Sequence, residues 1–350
     1  MNTHSAPFTL AVTTLLAIAS TGCAVDRSQP PPRSSPALVS LPVSSGSSIG
    51  VGVRDLLQRE LVWYDVDSDR VVAFRGGERV ELQDRSVRAS ITDPVALRAF
   101  EDGSFALMNN STVALFPVGR ATVTLPLVTF TEPALDGNSI DDLWIAKWDV
   151  VIDSVLGYGA CHIDHGVLEP CVEVPNVGAV TLQMALGTDG MPLMSDRENR
   201  LYRIADGRAE LLHDFGDTIM GMRRAGGELF VSTYASGIYA IDGRNVRRIR
   251  DGYTLDTFGT AADFHYATFD AESEQVDPAC QSGWFNSCEQ RRVWSQLVIF
   301  ESANGRTVEV GHVNCFGTED NACSFEGFGL DGDTLVLFGN PMRRLGTSNP

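Results

Sequence analysis

Leu201-Tyr-Arg-Ile-Ala-Asp-Gly-Arg-Ala-Glu-Leu-Leu212 and Ile238-Tyr-Ala-Ile-Asp-Gly-Arg-Asn-Val-Arg-Arg-Ile249 are two copies of one phrase. Each is an apolar strand, a Gly turn, an Arg and a second strand. The phrase returns as Val113-Ala-Leu-Phe-Pro-Val-Gly-Arg-Ala-Thr-Val-Thr-Leu125 and as Leu297-Val-Ile-Phe-Glu-Ser-Ala-Asn-Gly-Arg-Thr-Val-Glu-Val310. Val71 to Leu82 is a weaker copy, and Ile163 to Val174 a degenerate one. The turn glycines Gly77, Gly119, Gly166, Gly207, Gly243 and Gly305 are separated by 42, 47, 41, 36 and 62 residues. A second hairpin precedes most copies, with turns at Asp102-Gly103, Asp189-Gly190, Gly226-Gly227 and Asp331-Gly332. One unit is therefore four strands in about 40 residues, the period of a propeller blade. A single blade cannot cover both its faces, and stacking blades in a ring does.

Five units fit between Pro94 and Val313. Ser324 to Phe338 supplies a first hairpin, and Leu61 to Leu82 supplies later strands. Joined, they make a shared closing blade. The expectation is an all-β propeller of four-stranded antiparallel blades, six in number, or seven if each end builds its own. The separation of 62 marks an insertion in one blade. In pattern, Leu61 to Phe338 resembles the bacterial propellers of the NHL and regulator-propeller kind. The resemblance implies the fold and leaves activity open, because propellers serve as hydrolases, lyases, oxidoreductases and scaffolds alike. The one Trp-Asp dipeptide, Trp148-Asp149, sits mid-unit and closes no blade.

Three regions are expected: an export signal over 1–22, a tether over 23–53 and the propeller over 54–345. Phe8 to Ala19 is an apolar run too short to span a bilayer comfortably, followed by small residues. Ser20-Thr21-Gly22-Cys23 resembles the lipobox of bacterial lipoproteins. That resemblance implies cleavage before Cys23, acylation of its sulfur and amine, and a place at the outer membrane or cell surface, since Ala24 and not Asp follows. Ala17-Ile18-Ala19 is a rival site for ordinary signal peptidase, which would leave the protein periplasmic or secreted. Gln29 to Pro36 and Ser44 to Ser48 are rich in Pro and Ser and read as tether.

With Cys23 set aside, six of the 7 cysteines remain. They form three close pairs: Cys161 with Cys171, Cys280 with Cys288, and Cys315 with Cys323. An exported chain meets an oxidising compartment, so these read as local disulfides. The net charge of −18, from 27 basic and 45 acidic residues, argues against a nucleic-acid partner. Lys147 is the only lysine and lies in an apolar run, where it reads as a strand residue.

Candidate sites are modest. Asp65-Val-Asp-Ser-Asp69 alternates carboxylates as a calcium loop does, yet Arg70 and Gly76 stand where an EF-hand needs Gly and Glu. No other cofactor is indicated. Gly46-Ser-Ser-Ile-Gly50 and Gly327-Phe-Gly-Leu-Asp-Gly332 match catalytic and nucleotide-binding patterns without the strand-to-helix setting those need. Cys161-His-Ile-Asp-His165 reads as a stapled loop with exposed His. Asp263 and His265 begin an acidic stretch running into the inserted segment, where Trp284 and Phe285 are placed for recognition. Arg244, Arg247, Arg248 and Arg250 form a basic strand. Two functions follow. One is a lipid-anchored module binding a protein or glycan partner. The other is a hydrolase or lyase with a metal-assisted site in the ring centre, built from Asp141, Asp142, Asp263 and His265.

Overall fold

The computed structural model describes residues 38–40, 54–57, 60–75, 78–127, 134–152, 155–175, 183–196, 198–225, 227–252, 256–259, 263–269, 296–314, 327–331, 334–338 and 343–345. Among them every regular element is a strand, and the strands form seven antiparallel sheets. In chain order these are blade 1 (54–81), blade 2 (96–126), blade 3 (134–174), blade 4 (184–214), blade 5 (219–250), blade 6 (256–314) and blade 7 (327–345 with 38–40). The first strand of each blade touches the next blade's first strand through to blade 7, whose Gly327–Asp331 then packs on Glu60–Asp65 of blade 1. The ring is closed, and it is a β-propeller.

The seven sheets match the alternative in which each end of the chain adds a blade of its own to the five complete units. Arg54–Leu57 is the missing first strand of blade 1, pairing Asp55 with Val62. The C-terminal hairpin gains Arg343–Leu345 as a third strand. Its fourth strand is Leu38–Ser40, inside the stretch read as tether, in register Leu38 with Leu345 and Ser40 with Arg343. Leu61 to Leu82 thus lies in a blade of its own, and blade 7 is shared, with the N-terminal strand closing the C-terminal hairpin from outside.

Burial falls from the middle of each blade outward. Phe105–Met108 and Pro192–Ser195 are buried along their whole length. Both are second strands with a sheet on either side, which is why they read as unbroken apolar runs. The outermost strands Glu78–Glu81 and Asn245–Arg250 are mostly exposed and carry the charges. The core is a series of seams. Tyr64, Val71, Phe105 and Phe116 fill that between blades 1 and 2, where Phe105 and Phe116 stack at 4.5 Å. Leu115, Leu143, Ile145 and Ile163 fill the next, Ala146, Met184, Met194 and Tyr202 the next, and Leu193, Leu201, Leu229 and Val231 the one after. Since each apolar face is covered by a neighbour, the blades stabilise one another.

The residue ending the second strand recurrently caps the turn that follows. Asn109 Oδ1 accepts from the N–H groups of Ser111 and Thr112 at 2.8 Å each. Asp196 Oδ1 accepts from those of Glu198 and Arg200 at 2.9 Å. Thr233 Oγ1 accepts from Gly237 N at 2.9 Å. Gly237 has φ of 120°, and a Cβ there would lie 1.8 Å from the Arg250 carbonyl oxygen, so only glycine fits.

Candidate functional site

Asp65 is another of these caps. Its carboxylate is fully buried and accepts from Ser68 N at 2.9 Å, from the Ser68 hydroxyl and from the Arg79 guanidinium. Asp69 turns the other way, accepting from Tyr64 Oη at 3.1 Å, Arg88 N at 2.9 Å and the Ser86 hydroxyl. Burial raises the Asp69 pKa, but these donors outweigh it and leave the carboxyl below its usual range. Asp67 is exposed. The three carboxylates are not gathered on one point, and among the described residues no group of three or more His, Cys, Asp or Glu is set to hold a metal ion.

The Cys161–Cys171 disulfide is present. Cys23, Cys280, Cys288, Cys315, Cys323, Trp284 and Phe285 lie outside the described residues. Asp263 and His265 lie on the second strand of blade 6, Asp263–Phe269. Asp141 and Asp142 belong to blade 3, three places round the ring. Asp141 pairs with Arg120 of blade 2 through two bonds of 3.0 and 2.7 Å, which lower its pKa. Among the described residues these four form no group set to hold a metal ion. In the basic strand, Arg244 pairs with Glu210, Arg248 with Asp251, and Arg250 lies 4.9 Å from the Tyr266 ring centroid. Lys147 pairs by backbone with Gly159 in mid-strand.

The structure gathers a different set around the axis. Arg98, on the first strand of blade 2, lies 2.9 Å from Asp136 of blade 3 and 3.2 Å from Asp55 of blade 1. It also donates to the Gly137 carbonyl at 3.4 Å from Nε and 3.3 Å from an Nη. Each acid in turn accepts a backbone N–H from the following blade: Asp55 from Ala99 at 2.8 Å, Asp136 from Leu186 at 2.7 Å. Burial works against the Arg98 charge, but Asp136 and then Asp55 more than offset it and raise its pKa. Four blades are laced together by these groups.

From Asn138, two residues after Asp136, a second chain runs to the surface at the end of the ring where first strands turn into second strands. Arg224 of blade 5 donates to Asn138 Oδ1 at 2.9 Å, and Asn138 Nδ2 donates to Asp142 Oδ2 at 2.9 Å. The other Asp142 oxygen lies 2.8 Å from His162 Nε2, and His162 Nδ1 lies 2.9 Å from Glu169 Oε2. The imidazole stacks on Trp144 at 4.7 Å. Burial lowers the His162 pKa, but Asp142 and Glu169 outweigh it and the net shift is upward. With carboxylates at both nitrogens, the ring makes both bonds only as imidazolium. His165 beside it is exposed and held up in pKa by Asp164, 2.6 Å away.

Sequence reading missed Asp55, Arg98, Asp136, Asn138, Glu169 and Arg224. The one available signal is a charge interrupting an apolar first strand, as in Leu97-Arg98-Ala99.

No family model matches this chain, and no curated protein does. Solved structures do. A streptogramin B lyase aligns over 88% of this chain and 96% of its own, with 13% identity and a TM-score of 0.55. The virginiamycin B lyase of Staphylococcus aureus aligns over 88% and 98%, at 11% identity and TM-score 0.54. A chain of a mitotic checkpoint complex aligns over 96% and 98%, at 10% identity and TM-score 0.53. At such identities the likeness is one of fold, and it places the chain among the β-propellers.

Proposed function

We propose that this is a lipid-anchored propeller of the cell envelope, of the NHL or regulator-propeller kind, that binds a protein or glycan partner. The observation that carries the binding reading is the chain Arg224–Asn138–Asp142–His162–Glu169. It spans blades 3 and 5 at one end of the ring and holds donors and acceptors in fixed positions at the surface. Preorganised polar groups lower the ordering cost of binding. His162 is held between two carboxylates that raise its pKa, which suits it to positioning. The lipobox-like Cys23 and the Pro/Ser-rich stretch support a place at the outer membrane or cell surface.

The second reading is a hydrolase or lyase. It draws on the fold shared with a streptogramin B lyase, and calcium or another metal would then belong to its site. Incubation of the purified protein with a streptogramin B and with an array of envelope glycans and proteins separates the two. Retention of an array ligand without turnover is the expected result, and conversion of the antibiotic with no array ligand retained would replace the binding reading. Cys23→Ser is expected to move the protein from the membrane to the soluble fraction. A wild type already soluble would remove the anchor.

A further inference from the structure

Two arginines of the inner strands, Arg98 and Arg224, have different surroundings. Arg98 is neutralised twice, by Asp55 and Asp136. Arg224 donates to a neutral amide oxygen, that of Asn138, and among the described residues no carboxylate pairs with it. A guanidinium offers five N–H donors in a planar fork, and one bond leaves most of that fork unused. The chain carries a net −18, so a cation left without a counter-charge stands out against its surroundings.

The position of Arg224 is also held from behind. Its acceptor Asn138 is fixed by Asp142, and Asp142 by the His162 ring. The bond links blade 5 to blade 3, passing the inner end of blade 4. There the turn residue Gly190, at φ of 76°, lies so close that a Cβ would sit 3.3 Å from Asn138 Nδ2. Blade 4 thus presents no side chain at that point. The exposed Asn138 and the Asp142 carboxylate bonded to it bring hydroxyl-binding groups to the same place.

We propose that Arg224 is the anchor of a carboxylate-binding subsite at this end of the ring, and that its ligand is the uronate of an acidic glycan. A carboxylate matches the guanidinium fork, and the amide and carboxylate of Asn138 and Asp142 suit sugar hydroxyls. The inference rests on the binding reading above and names the chemistry of its ligand.

The test uses the full-length chain purified in detergent. Calorimetry compares a galacturonic-acid trisaccharide with the galactose trisaccharide of the same linkage. The uronate is expected to bind, more weakly as salt rises, and the neutral sugar to bind at least tenfold less well. Arg224→Ala is expected to weaken uronate binding about tenfold or more, the loss that accompanies removal of a charge-assisted pair. Arg224→Lys should recover part of it, with a thermal melt confirming that both variants fold. Equal affinity for both sugars, or unchanged uronate binding by folded Arg224→Ala, overturns the subsite and leaves the binding module standing. Absence of uronate binding by the wild type overturns the subsite too. Only turnover of the streptogramin without glycan or protein capture overturns both.

Discussion

The two ends of the ring satisfy their polar groups in different ways. At the end where second strands turn into third strands, most acceptors take backbone N–H groups, and pairs such as Arg79 with Asp65 and Arg200 with Asp196 are built onto those caps. Asn109, Asp196 and Thr233 cap their own turns, and Asp217 ties the approach to blade 5 to that blade's turn through Ala235 N and Ser236 N, at 2.6 Å each. At the other end, beside the Asp102 and Asp189 caps, more side chains meet side chains: Arg120 with Asp141, Arg203 with Asp189, Asp142 with His162, Arg224 with Asn138. Backbone donors exist whatever the sequence, so capping them is structural. Bonds between side chains consume groups that another sequence could omit. They are also more exposed and contribute less to stability, so a reason for them is better sought in binding.

The comparison breaks most readily at the axis, where Asp136 does both tasks. Asp136→Ala removes the Arg98 pair and the acceptor of Leu186 N in a buried place. The expected loss is about 3 to 5 kcal/mol, read by denaturant unfolding. A loss within noise would mean the lacing of the blades is dispensable.

Cutting the Cys161–Cys171 bridge tests whether the side-chain end also leans on covalent support. Cys161→Ser with Cys171→Ser closes no loop, and the chain-entropy account gives about 2 to 3 kcal/mol. Peptide mapping without reductant should also recover Cys280 with Cys288 and Cys315 with Cys323.

Asp217→Ala sharpens the contrast from the capping end, with an expected cost of about 1 to 2 kcal/mol by the same measurement. Burial raises the Asp217 pKa, and the Ala235 and Ser236 donors more than reverse this, so the folded value lies below the unfolded one. Its stabilisation is therefore present above about pH 4 and is lost as pH falls through the lowered value.

His162 should show the opposite slope. Its folded pKa is raised, so its stabilisation is full below about pH 6.5 and fades as pH rises through the raised value. The amplitude expected is under about 1 kcal/mol for a partly exposed pair. His162→Gln should remove that alkaline slope and leave the acid one from Asp217. A pH profile identical to wild type would place both His162 bonds outside the energetics.

The repeat was legible because turn chemistry is local. Gly119, Gly207, Gly243 and Gly305 all take positive φ, and the strands they join lie next to each other in the chain. Ring closure was harder to read. Arg54-Asp-Leu-Leu57 shows no alternation, and Leu38–Ser40 lies among prolines and serines that look like linker. What makes each a strand is a partner: the adjoining Glu60–Asp65 for the first, and residues at the far end of the chain for the second. The candidate site was hidden for the same reason. Asp55 and Arg98 are 43 residues apart, and Arg224 and Asn138 are 86 apart. Periodicity cannot show such pairs. Asp142 and His162 were both visible as residues, but only the register of Asp142–Ile152 against Val155–Asp164 brings them face to face.

The clasp of Leu38–Ser40 on Arg343–Leu345 has a mechanical consequence. Any pull on the chain upstream of Leu38 enters the ring at the outer edge of blade 7. Load passes first to a ladder of three residue pairs, and the hydrophobic seams feel it only after that ladder parts. The grip is short and lies at the rim, so Leu38–Ser40 is the strand expected to part first, while the inner contact of Gly327–Asp331 with Glu60–Asp65 still closes the ring.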